Sequence, residues 1–103
     1  MEAATVNGDE FVEVLATLSN PHRLRVVAAL SQQRNYVSRL ARELGISRAL
    51  LQVHLRKLEA VGLVESQLEL SEDGKAMKFY EVLDFAVALT PETIAEAVQT
   101  LTK

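Results

Sequence analysis

A chain of 103 residues, 49% hydrophobic but only 5% aromatic, has room for one modest core filled mainly by aliphatic side chains, which favours packed helices over a sheet sandwich. It contains no cysteine, and so excludes disulfides, thiolate metal sites and cysteine nucleophiles. The net charge of −3 argues against coating nucleic acid by charge alone, yet between residues 31 and 60 Arg34, Arg39, Arg42, Arg48, Arg56 and Lys57 face only Glu43 and Glu59.

That local excess of +4 is what a phosphate-binding stripe requires, although a solvated helix face carries the same charges. The opening MEAATVNGDE has no basic start followed by an apolar run. No apolar stretch approaches the ~18 residues of a membrane span. A cytoplasmic protein with no membrane partner is therefore expected. No Ser/His/Asp arrangement, Gly-rich phosphate loop or paired-carboxylate cleft stands out, so no enzyme activity and no cofactor are expected.

Residues 1–8 are small and polar and end in Asn7-Gly8, the composition of a flexible tail; residues 9–103 read as one domain. Phe11, Val14, Leu15 and Leu18 recur at helical spacing from Asp9 to about Ser19. Asn20-Pro21 breaks the chain and starts a second helix, with Asn20 as cap and Pro21 at the first helical position. Leu24, Val27, Ala28 and Leu30 are its expected inner face.

Tyr36-Val37 is a short β-prone stretch. Ser38 is the expected cap of a third helix, Arg39 to Leu44, which turns Leu40, Ala41 and Leu44 inward and ends at Gly45. Ile46 fills the turn and Ser47 caps a fourth helix from Arg48 to about Ala60. Two helices joined by Gly-Ile-Ser match a helix-turn-helix.

In the fourth helix Leu51, Leu55 and Leu58 form the core stripe. Arg48, Ala49, Gln52, Val53 and Arg56 remain outward, small residues beside side chains long enough to reach bases and phosphates. After Gly62, Leu63–Leu70 and Lys75–Leu83 read as two strands around Asp73-Gly74, a hairpin signal. Thr90-Pro91 then starts a last helix with Ile94, Val98 and Leu101 on one face. The expected fold is mainly α with a small β-hairpin wing, a winged helix-turn-helix, in the order helix, helix, short strand, helix, helix, strand, strand, helix.

The run Leu18-Ser19-Asn20-Pro21-His22-Arg23-Leu24-Arg25-Val26-Val27 resembles the opening of ArsR/SmtB-type repressors. Leu40-Ala41-Arg42-Glu43-Leu44-Gly45-Ile46-Ser47 is similar to their first helix and turn, and His54-Leu55-Arg56-Lys57-Leu58-Glu59-Ala60-Val61-Gly62-Leu63-Val64 to their run into the wing. The resemblance covers about residues 11–83 and implies a sequence-specific DNA-binding repressor acting as a homodimer on an inverted-repeat operator.

It implies a contact set of Ser47, Arg48, Ala49, Gln52, Val53 and Arg56 with Arg39, Arg42 and Lys57 on the backbone, and it brings His54 near the DNA, where a buried packing role is the alternative. Gln52 and Val53 depart from the family's usual serine and basic or amide residues, so the bases read may differ. Glu69, Glu72 and Asp73 around the wing tip, against Lys75 and Lys78, depart from its usual basic wing. An acidic tip should be repelled by phosphate.

Dimer pairing is expected through Phe11, Val14, Leu15 and Leu18 with Ile94, Val98 and Leu101; ordinary packing within one chain is the alternative. With only His22 and His54 as histidines, no dedicated metal centre is expected beyond a weak site of His22 with Asp9 or Glu10. Regulation by a partner protein, a small-molecule effector or no ligand at all stays open. The rival function is a winged-helix module that binds protein and leaves DNA unread.

Overall fold

Polar side chains set where most of the helices begin. In the computed structural model, which describes residues 7–102, Asn7, Asn20, Ser47 and Thr90 each accept a hydrogen bond from the backbone N–H three residues on, at 2.8, 3.1, 3.0 and 3.1 Å. Each satisfies one donor that a helix start leaves unpaired. The helices so capped are α1 (Gly8–Leu18), α2 (Pro21–Gln32), α4 (Arg48–Ala60) and α5 (Pro91–Val98).

Helix α3 (Val37–Leu44) has no side-chain cap. The chain enters it directly from strand β1 (Asn35–Tyr36), so the strand lies one residue earlier than Tyr36-Val37, and Ser38 sits inside the helix instead of capping it. Strands β2 (Val64–Leu70) and β3 (Ala76–Val82) form the antiparallel wing, with Gln67 opposite Phe79 and Leu70 opposite Ala76. β1 joins the outer edge of β3, pairing Tyr36 with Phe79, to give the order β1-β3-β2. The architecture is the winged helix-turn-helix that the sequence suggests, with a third strand completing the sheet.

The core gathers Val26 and Leu30 of α2, Leu40 and Ala41 of α3, Leu51, Leu55 and Leu58 of α4, and Leu63, Val64 and Tyr80 at the wing's root. Leu24 and Ala28, expected inward, are exposed, and Val26 takes the central place.

The sequence Leu24 to Leu30 is almost unbroken hydrophobic residues, so periodicity alone does not identify the inner face. Packing against α4 does. Between α3 and α4, Gly45 adopts φ +69°, a left-handed conformation that costs other residues energy. Its N–H and that of Ile46 close on the Arg42 and Ala41 carbonyls at 3.3 and 3.1 Å, which lets α4 begin three residues later.

Residues 1–6 of the expected tail lie outside the described residues, but Asn7 and Gly8 are the cap and first residue of α1. Gly8 is there because α1 and α5 touch. Its N–H donates to Thr100 Oγ1 at 2.6 Å, and Thr102 N–H donates to Asp9 at 3.1 Å. A Cβ on Gly8 would stand 2.1 Å from the Ala97 carbonyl oxygen. Gly8→Ala is therefore expected to destabilise the fold by about 1–3 kcal/mol and to speed amide exchange throughout α5. Unchanged exchange in α5 would mean that the contact is dispensable.

Candidate nucleic-acid interface

Three leucines, Leu51, Leu55 and Leu58, are wholly inaccessible and fix one face of α4 to the body. The helical period then turns Arg48, Ala49, Gln52, Val53, Arg56 and Lys57 into solvent. Among the described residues no side chain of Arg48, Gln52, Arg56 or Lys57 has a hydrogen-bond or ion-pair partner in the chain, so all four are available to a ligand. Leu50, outside the expected contact set, is also exposed.

The Ser47 hydroxyl accepts from Leu50 N–H and keeps its own hydrogen free at the positive end of α4, a place suited to an anion. On α3, Arg42 is exposed and its guanidinium has no hydrogen-bond or ion-pair partner among the described residues, whereas Arg39 is tied down. Its Nε donates to Asn35 Oδ1 at 2.7 Å and its guanidinium lies 5.0 Å from the centre of the Tyr36 ring. Asn35, which the sequence did not single out, is buried and also donates from Nδ2 to Glu43 at 3.0 Å. It locks β1 to α3.

His54 does not belong to the exposed face. It is only 6% accessible, its ring centre is 5.3 Å from that of His22, and its Nδ1 lies 3.2 Å from Arg23 Nη1. A guanidinium only donates, so Nδ1 accepts, the imidazole is neutral and Nε2 carries the hydrogen; among the described residues Nε2 is buried without a partner. Arg23 Nε also donates to the Thr17 carbonyl at 2.5 Å. Arg23 thus ties the end of α1 to the middle of α4.

Burial, then the charges of Arg23, His22 and Lys57, hold the His54 pKa below its ordinary 6.5. Below that pH the unfolded chain takes up a proton that folded His54 resists, so stability falls as the medium acidifies through the folded pKa. Denaturation at about pH 7.5 and about pH 5.5 is expected to show a loss that His54→Gln removes from this window. An equal loss in the variant would assign it elsewhere.

His22 packs against His54, whereas Asp9 binds Thr102 and Glu10 accepts from Asn7 Nδ2 at 3.0 Å. The weak site expected from His22 with Asp9 or Glu10 is thus not assembled. Among the described residues no group of three or more His, Cys, Asp or Glu could hold a metal ion.

The wing is less acidic than its composition suggests. Glu69 forms a two-pronged ion pair with Arg34, one arm at 2.9 Å. That hydrogen bond, with the guanidinium's charge, holds the Glu69 carboxyl below its ordinary range. Arg34 in turn sits 4.6 Å from the centre of the Phe79 ring, so it braces the wing instead of serving the charged stripe. Glu72 and Asp73 remain at the tip, Asp73 bonded to Ser71. Leu68 and Leu70 on the wing are 71% and 76% exposed.

The residues expected at a dimer contact divide. Phe11 is buried within its own chain, and Val14, Leu15 and Leu18 are half-buried, Val14 and Leu18 against the core. Ile94, Val98 and Leu101 are exposed, the first two by 45% and 57%, as are Val12 and Leu89, outside the expected set. Among the described residues no helix is long and apolar enough to cross a membrane.

Comparison with known proteins places this geometry among relatives. The profile of the family "Bacterial regulatory protein, arsR family" matches residues 20–66, from the cap of α2 into β2. An uncharacterized HTH-type transcriptional regulator of Methanocaldococcus jannaschii is 38% identical over 85 residues, which span 82% of this chain and 88% of the relative. An ArsR-like transcriptional regulator from a Rhodococcus species superposes with a TM-score of 0.63 at 27% identity, covering 89% of this chain and 76% of that one. The transcriptional regulator HlyU from Vibrio vulnificus shares the fold, with a TM-score of 0.60 at 24% identity over 88% of this chain and 83% of its own.

Proposed function

Because the chain belongs to the arsR family of bacterial regulatory proteins, we propose that it is a cytoplasmic repressor that binds an inverted-repeat operator as a homodimer, reading bases with α4. The observation that carries this is the exposed, unpartnered surface of Arg48, Gln52 and Arg56 on a helix whose opposite face is wholly buried.

In a major groove Gln52 is suited to adenine and Arg48 to guanine or a phosphate, while Ala49 and Val53 permit close approach. Ser47, Arg42 and Lys57 fit the sugar-phosphate backbone, which fixes register without reading sequence. Ile94 and Val98 on α5, with Val12 and Leu101, supply an apolar face for a two-fold partner, whose second α4 would meet the duplex about 34–36 Å away.

Selection from random duplex DNA tests this. Enriched sequences are expected to hold two inverted half-sites about 10–10.5 base pairs apart, with affinity falling steeply as salt rises. Enrichment of nothing would overturn the reading.

A protein-binding module is favoured only by the wing, where exposed Leu68 and Leu70 lie behind an acidic tip. Apolar binding there would change little with salt.

A further inference from the structure

The terminal helices, the turn after α4 and the segment between β3 and α5 line a half-open cavity of about 740 Å³, within the size range of small-molecule sites. Its apolar lining comes from four parts of the chain: Phe11 and Val14 of α1, Val61 and Leu63 beyond α4, Phe85 after β3, and Ala97 of α5.

Its charges have one sign. Glu10, Glu13 and Glu96 stand exposed around it, and no lysine, arginine or histidine lines it. Glu10 already accepts from Asn7, while the carboxylates of Glu13 and Glu96 have no hydrogen-bond or ion-pair partner among the described residues. The cavity is also distinct from the outward apolar face of α5. Thr93, Glu96, Ala97 and Thr100 line it; Ile94 and Val98 do not.

We propose that this cavity binds an organic cation with an apolar body, an amine whose hydrocarbon part is buried against Phe11, Val61 and Phe85 while its ammonium meets Glu13 and Glu96. Burial of hydrocarbon supplies the attraction, and the carboxylates supply the choice of sign, since an anion of the same shape is repelled.

Ala60, the last residue of α4, and Val61 and Gly62 just beyond it line the same space, so an occupant would touch the C-terminal end of the helix assigned to DNA. Any regulatory consequence rests on the DNA-binding reading. Ligand binding does not, and is measured without DNA.

Calorimetric titration of the full chain with 4-phenylbutylamine and with its anionic counterpart 4-phenylbutyrate tests the proposal, with amide shifts recorded by NMR. The amine is expected to bind at least about tenfold more tightly, with shifts at Val61, Ala88 and Ala97. Replacing both Glu13 and Glu96 by glutamine is expected to narrow that preference roughly fivefold, with an unchanged melting curve showing that the variant is folded.

Equal binding of the two probes, no binding of either, or shifts centred on Ile94 and Val98 would overturn it. So would a dimer, seen by sedimentation, in which amide exchange shows the cavity residues protected by the second copy and calorimetry shows no amine bound. Failure of DNA selection alongside amine binding would sink the operator reading and leave the cavity assignment standing.

Discussion

Replacing Arg48 and Arg56 together by alanine is expected to lower affinity for the selected operator by about two orders of magnitude, each well-placed arginine contact being worth about 1–3 kcal/mol. Neither side chain touches the rest of the chain through a hydrogen bond or ion pair, and both are exposed. The melting temperature should therefore stay within a degree or two of wild type, as for other surface changes.

Fluorescence anisotropy on operator and on scrambled duplex separates their roles from that of Gln52. Losing an arginine weakens both complexes to the extent that it contacts phosphate. Gln52→Ala is expected to weaken the operator complex alone, because an amide reads a base edge and neutralises nothing. Equal weakening of both complexes by Gln52→Ala would remove glutamine from base reading.

The second large effect is on stability. Leu55 is fully inaccessible at the middle of α4, in a cluster with Leu51, Leu58, Val26 and Leu30. Leu55→Ala removes three buried carbons and leaves a cavity, at a cost of about 2–5 kcal/mol. A domain of this size has about 5–15 kcal/mol in total, so the variant is expected to be partly unfolded near physiological temperature. Urea denaturation measures the difference. A loss below about 1 kcal/mol would mean that α4 is not anchored as its burial implies. The two variants should behave oppositely, one folded and unable to bind, the other able to bind only in its folded fraction.

How far the sequence revealed these features depended on how local their causes are. The α4 surface was legible because Gln52, Arg56 and Lys57 interrupt Leu51, Leu55 and Leu58, so period and burial agree. Ser47, Gly45 and Pro21 were legible because each acts within a few residues of itself.

The α2 face was not, since a nearly continuous apolar run offers several equivalent faces until α4 selects one. Gly8 looked like the end of a tail because its partner, Thr100, is 92 residues away. The same holds for Arg34, drawn out of the basic stripe by Glu69, 35 residues on, and for His54, whose Arg23 partner is 31 residues earlier. Local composition carries no trace of such pairings.

An NMR titration with the selected duplex is the most direct test of whether α4 meets DNA. The largest amide and arginine side-chain shifts are expected at residues 47–57, with smaller ones at Arg42. Shifts centred on Leu68 and Leu70, or on the outward face of α5, with residues 47–57 unmoved, would contradict the assignment of this helix to the groove.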